Sequence, residues 1–168
     1  MPLRVRPAGP NDLDILVGIH TRSAQRAYAG IFPPEAPFPS FEAMADRWRP
    51  SLIGDDTSVA FVAELDGRAV GCVIADARSA RGFGNLRHLY VEPEAWGIGV
   101  GRALHDAAVG WCVDACVGSM DLWVLEENGR ARAMYERWGW QLDPEERLVH
   151  EGLDVAEVRY LLARVPTS

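Results

Sequence analysis

The chain has 168 residues, 48% hydrophobic and 24% charged, a composition that predicts one globular domain over 1–168 with room for a sizeable core. Its formal net charge of −7 argues against non-specific binding to nucleic-acid phosphates, which needs a basic surface, and leaves room for a cationic acceptor. No run approaches the roughly 20 apolar residues that span a bilayer, and MPLRVRPAGP lacks the apolar region of a signal peptide, so no membrane partner and a cytoplasmic location are expected.

In chain order, LRVRPA (3–8) alternates like a short strand, and Pro10-Asn11-Asp12 follows as a turn and helix start. Leu13, Leu16, Val17, Ile19, His20, Ala24, Ala27 and Tyr28 recur at helical spacing and predict a helix over 11–29. GIFPPEAPFPS (30–40) holds four prolines and predicts a loop. A second helix runs from about Phe41 to Leu52, with Phe41, Met44, Ala45 and Trp48 on one side. In TSVAFVAELDGRAVGCVIADAR (57–78), two β-rich runs flank Asp66-Gly67, a strong hairpin signal.

GNLRHLYVEP (84–93) is a strand ended by Pro93, and a helix over 100–117 follows with Leu104, Ala107, Ala108, Trp111 and Ala115 as its apolar face. SMDLWVLEE (119–127) is a strand and NGRARAMYERWG (128–139) a helix closed by Gly139. The tail predicts a short strand at 140–142, an acidic loop, DPEERLVHEG (143–152), and a last strand near 156–164. The order is β-α-α-β-β-β-α-β-α-β-β, and strand 84–92, helix and strand 119–126 form a crossover unit whose two strands should be parallel. Cys72, Cys112 and Cys116 cannot all pair, and no histidine pair stands nearby at a zinc-like spacing, so buried free thiols and no metal site are expected.

WGIGVGRAL (96–104) places glycines at 97, 99 and 101 and then turns into helix-forming residues. A P-loop is excluded, because no Lys-Ser or Lys-Thr occurs in the chain. A dinucleotide fingerprint started at Gly97 or Gly99 meets Arg102 or Leu104 where its third glycine belongs. A proline-ended strand and a glycine turn into a helix N-terminus remain, offering unpaired N–H groups and a positive dipole end to a pyrophosphate. The alternative, glycines needed only for the geometry of a tight loop, stays open on these residues alone.

LRHLYVEPEAWGIGVGRAL resembles the acetyl-CoA-binding motif of the GNAT superfamily of N-acetyltransferases, in which a strand and a proline precede Arg/Gln-x-x-Gly-x-Gly/Ala and a helix. Gly99 and Gly101 stand in register, while Trp96 occupies the usual Arg/Gln position. VLEENGRARAMYERWGW (124–140) is similar to the later family motif, matched by Asn128, Ala131, Tyr135, Glu136, Gly139 and Trp140. Asn128 and Tyr135 lie about two helical turns apart, on one face. The resemblance covers 57–164 well and the first 56 residues in outline.

The resemblance implies an α/β (α+β) fold: a mixed, mostly antiparallel twisted sheet of six to seven strands flanked by about four helices. Its central parallel pair, strands 84–92 and 119–126, would splay apart for CoA. Residues 1–56 would form the acceptor side and 57–164 the CoA-binding core and C-terminal strands. Pantetheine would bond to backbone of Leu89 and Val91 beside Tyr90, as an added strand does. The pyrophosphate would sit on Trp96, Gly97, Ile98, Gly99, Val100, Gly101 and Arg102, with Trp96 packing at the loop entrance and Arg102 an added charge. Asn128 would touch pantetheine, cap its helix, or do both.

The implied reaction passes an acetyl group from acetyl-CoA to a primary amine of a small molecule or peptide. The Val91 N–H would serve as oxyanion donor and Tyr135 as general acid, since a phenol with a reference pKa of about 10 is protonated at neutral pH. His88 and Glu92 are the candidate bases, alternating onto one strand face with Tyr90, although a dedicated base is not required. Tyr28 and Glu35 are the candidate acceptor contacts. A non-catalytic acyl-CoA sensor and a transferase of longer acyl chains are the alternatives, and homodimerisation is left open.

Overall fold

The computed structural model describes residues 2–77 and 83–163. Arg78 and Arg164, which end two of the expected strands, lie outside the described residues.

An alternating run builds β1 (Leu3–Pro7), and near-continuous apolar runs buried on both faces build β2 (Ser58–Leu65) and β3 (Arg68–Asp76); the three pair antiparallel in succession. Asp66 and Gly67 join β2 to β3 with φ of 51° and 80°, the two positive values that a tight hairpin of this kind requires. β4 (Gly84–Val91) adds antiparallel to β3. After α3 (Val100–Asp114), β5 (Met120–Leu125) returns parallel to β4. α4 (Gly129–Arg137), β6 (Gln141–His150) and β7 (Val155–Leu162) complete a seven-stranded sheet in the order β1-β2-β3-β4-β5-β7-β6.

The sheet is covered on both faces. α1 (Leu13–Ala27) and α2 (Phe41–Trp48) bury Leu16, Ile19, Met44 and Trp48 against Val62, Cys72 and Ile74. α3 buries Val100, Leu104, Ala108 and Cys112 on the opposite face, in a cluster that includes Tyr135 and Trp140.

Several expected bounds move for identifiable reasons. The first helix begins after a 3-10 turn at Pro10–Asp12 and ends at Ala27. The second ends at Trp48, because Pro50 lacks an N–H donor and the chain continues as a 3-10 turn, Arg49–Leu52. The third stops at Asp114, where Cys116 adopts φ 61° and turns the chain away. Cys72 and Cys112 are buried thiols as expected, whereas Cys116 is exposed.

The largest correction concerns 143–152. Most of the expected acidic loop belongs to β6, ten residues long and paired with β7. A register shift between Asp143 and Arg147 lets the ladder pass Pro144, which has no N–H to contribute. β6 lies at the edge of the sheet, where exposed charges are compatible with strand structure.

Candidate functional site

The parallel pairing of β4 with β5 is short. It joins Gly84 to Met120 and Asn85 to Asp121, and goes no further. The closed end is clasped by side chains: Asn85 donates to Asp121 at 2.7 Å, and buried Arg159 donates to Asp121 at 2.9 Å. Beyond it the two strands part, so Asp121 belongs to the clasp.

A bulge re-aims β4 beside the opening. Arg87 lies opposite Ile74 and Tyr90 opposite Cys72, so His88 and Leu89 share one partner position. His88 takes φ 55°, and its ring joins the side of α1 and α2. The bulge therefore interrupts the simple alternation expected from the sequence.

Past the bulge, Val91 stands opposite Gly71, and the next residue, Glu92, donates from its backbone to Val70 at 2.8 Å. Antiparallel positions alternate between bonded and non-bonded pairs, so the backbone groups of Val91 point away from β3, toward the parted side. Its carbonyl already accepts from Ser23 Oγ at 2.9 Å and Trp96 Nε1 at 2.7 Å. What Val91 offers a ligand is its N–H.

The glycine turn lies at the end of this strand. Gly97 and Gly99 have φ of 80° and 93°, and a Cβ at either would meet no protein atom within 4 Å. Glycine is needed there for its backbone conformation, and the space beside it is open. Gly101 differs: its φ is not positive, and an added Cβ would lie 3.6 Å from Trp138 Cη2, in ordinary contact. The first helical bond of this turn runs from Ala103 N to Gly99 O, and among the described residues the N–H groups of 97–102 reach no protein acceptor. A row of donors at the positive end of a fifteen-residue helix fits a phosphate-bearing ligand.

α4 supplies the remaining predicted donor-side groups. Asn128 Oδ1 accepts from Ala131 N at 3.2 Å, so this side chain caps its helix. Tyr135 is buried, with its ring edge-on to Trp138 and Trp140 at centroid separations of 5.9 and 6.2 Å. Burial pushes its phenol well above the ordinary value, and the Tyr28 hydroxyl adds to this. Arg102 is bound through Nε to both oxygens of Asp106 at 2.9 Å.

On the side of α1 and α2, Tyr28 and Tyr90 share a 2.9 Å hydroxyl hydrogen bond. His20 stacks on Tyr90 at 4.0 Å, and its Nδ1 accepts from Trp48 Nε1 at 3.1 Å. His88 lies 5.1 Å from His20 and 5.6 Å from Trp48, ring to ring. Burial, then the charge of Arg87, lowers His88 to about 4, and burial, then His88, lowers His20 to about 3. Both are neutral imidazoles near pH 7. Glu92 is buried and ion-paired with Arg22 of α1, whose Nε donates at 2.9 Å. Glu35 is exposed in the loop after α1.

Residues 22–140 match the Acetyltransferase (GNAT) family. The chain belongs to the GNAT family. An uncharacterized N-acetyltransferase from Archaeoglobus fulgidus is 28% identical over 138 residues, covering 79% of this chain and 89% of that protein. The PaiA N-acetyltransferase from Thermoplasma acidophilum, solved with coenzyme A, superposes with a TM-score of 0.73 at 17% identity, covering 94% and 98% of the two chains. Spermidine N-acetyltransferase from Vibrio cholerae, solved with CoA and spermine, gives 0.71 at 21% identity, covering 96% and 95%. The chain is accordingly an N-acetyltransferase with the mixed, open GNAT sheet and its parallel central pair.

Within this GNAT sheet, the predicted donor-side residues Leu89, Val91, Gly97, Ile98, Gly99, Val100 and Gly101 line the end of β4 and the turn after it. Sequence reasoning missed the partners that hold this region: Ser23 and Trp96 on the Val91 carbonyl, Arg22 on Glu92, and Arg130 over the Trp96 ring. It also passed over His150 and Glu157, which bond at 3.1 Å between β6 and β7. Burial pushes the Tyr28 phenol above its ordinary value, and the Glu157 charge adds to this. No local motif marks these residues, because each pairing joins separate elements. Among the described residues no helix is long and apolar enough to cross a membrane, and no cluster of His, Cys, Asp or Glu could hold a metal.

Proposed function

We propose that this N-acetyltransferase moves an acetyl group from acetyl-CoA to a primary amine of a small molecule or peptide, by direct attack in a ternary complex. One arrangement carries the reading: β4 and β5 part beside Val91, whose N–H faces the opening, and β4 leads directly to the glycine turn. Acetyl-CoA supplies the activated thioester. Backbone of Leu89 and Val91 holds the pantetheine arm, with the side-chain amide of Asn128 beside it, and the N–H groups of 97–102 hold the pyrophosphate. The chain acts as one unit, residues 1–56 on the acceptor side and 57–164 on the donor side.

Val91 N–H stabilises the oxyanion that forms when the amine attacks. The raised pKa of Tyr135 keeps its proton in place until the C–S bond breaks, when the phenol donates to the departing sulfur. The proton released from the new amide nitrogen restores the phenol, which balances the reaction. His88 is a weak base at about 4 and serves only as a transient relay, while Glu92 is occupied by Arg22. Most of the deprotonated amine is therefore drawn from solution. Tyr28 borders the acceptor, and Glu35 and Glu157 add negative potential suited to a cationic amine. The spermine in the Vibrio cholerae neighbour is consistent with such an acceptor.

The test is Tyr135→Phe, read by thiol release against a panel of amines and peptides and by calorimetry with CoA. Turnover should fall roughly 10²–10⁴-fold while CoA affinity stays within about twofold. Unchanged turnover would remove Tyr135 from the chemistry.

A further inference from the structure

Trp96 stands where the family pattern has Arg or Gln, so a long side chain ending in several N–H donors is replaced at this position by an indole. The structure shows what occupies its surroundings. The indole is pinned by its Nε1 bond to Val91 O at 2.7 Å, which fixes one edge and leaves a ring face available. The guanidinium of Arg130, near the start of α4, lies on that ring at 3.8 Å from carbon to centroid. A stack of this kind uses the flat face of the guanidinium and leaves its N–H donors free around the rim.

Neighbouring arginines are committed elsewhere. Arg102 is bound to Asp106, Arg132 to Tyr160 and the Glu126 carbonyl, and Arg22 to Glu92. Arg130 is exposed, and among the described residues its guanidinium makes no hydrogen bond or ion pair beside this stack. An unpaired cation is thus held in a fixed plane at the entrance of a turn whose N–H groups also lack acceptors.

We propose that Arg130 supplies from α4 a cationic contact to the CoA pyrophosphate that position 96 itself does not offer, with Trp96 serving as its platform. The inference rests on the acetyl-CoA reading above. It makes the donor site a two-element clamp: backbone donors of the turn on one side, and a guanidinium from α4 on the other. Two parallel N–H groups of a guanidinium suit bidentate binding of phosphate oxygens, and the indole limits the conformational freedom lost on binding.

Calorimetric titration of wild type, Arg130→Gln, Trp96→Arg and the double variant with CoA and with dephospho-CoA tests this. CoA binding by the wild type decides the underlying reading; its absence would defeat that reading first. Given binding, Arg130→Gln should weaken CoA by at least about tenfold and flatten the salt dependence. The same fold loss should be seen with dephospho-CoA. Trp96→Arg in the Arg130→Gln background should recover most of the affinity by restoring the family arrangement. Unchanged affinity in Arg130→Gln with an unchanged melting temperature would overturn the proposal. A loss confined to CoA and absent with dephospho-CoA would overturn it too, assigning Arg130 to the 3′-phosphate.

Discussion

Gly99 and Gly101 look equivalent in WGIGVGRAL, yet the structure asks different things of them. Gly99 has φ 93° and open space beside it, so an alanine there meets no atom but must adopt a left-handed backbone. Gly101 lies within α3 without a positive φ, and a methyl group would touch Trp138 at ordinary distance. Gly99→Ala should therefore cost about 1 kcal/mol or more of stability, while Gly101→Ala should be neutral or stabilising by up to about 1 kcal/mol. Urea denaturation of the two variants checks this, and equal losses would contradict it. The spacing of the glycines was legible in sequence, as was the helix that carries Tyr135. Their individual reasons were not, because φ depends on how the turn joins β4 to α3. The Glu92 partner was equally hidden: Arg22 lies on another element, and only the packing of α1 on β4 brings the two together.

At the scale of elements, the sequence is readable where local chemistry decides and unreadable where pairing does. Asp66-Gly67 announced its hairpin, since the turn conformation is set by two residues. DPEERLVHEG instead looked like a loop, and the strand exists because β7 offers a ladder across a bulge. The bulge at His88 and Leu89 was invisible for the same reason, which is why even alternation along β4 failed as a guide to side-chain direction. The end of α3 yields a testable consequence. Cys116 holds φ 61°, a conformation unfavourable for a side chain with a Cβ, in the position where glycine commonly ends helices. Its N–H bonds to Val113 O at 2.9 Å, and Val117 N to Cys112 O at 3.0 Å, so the closing turn is formed despite that cost. Cys116→Gly should raise stability by about 0.5–1 kcal/mol and the melting temperature by roughly 1–4 °C. A lower melting temperature would mean that the thiol side chain contributes more than its backbone conformation costs.

Taken as a whole, the molecule places neutral histidines between α1, α2 and its sheet, and this couples folding to pH. His20 is almost fully buried, bonded to Trp48, stacked on Tyr90, close to His88 and within reach of the Arg47 charge. Its folded pKa, lowered to about 3, lies below the reference value of 6.5. The unfolded chain therefore binds a proton below about pH 6.5 that the folded chain refuses until far lower. Stability from this group is complete above pH 6.5 and is lost as pH falls from there toward the folded value. Between pH 7 and 5 the loss for His20 amounts to roughly 2 kcal/mol, and His88, lowered to about 4, acts in the same direction. His20→Asn keeps an acceptor for Trp48 but removes the titration. Wild-type stability by urea denaturation should fall steeply from pH 7 to 5, and the variant should lose roughly 2 kcal/mol less over that interval. Equal losses in the two proteins would show that His20 is not the coupled group. Because α1 and α2 rest on this aromatic and imidazole layer, acid should loosen those two helices before the α3 face. Hydrogen exchange at pH 5 should then accelerate in 13–27 and 41–48 ahead of 100–114, and uniform acceleration would count against this order.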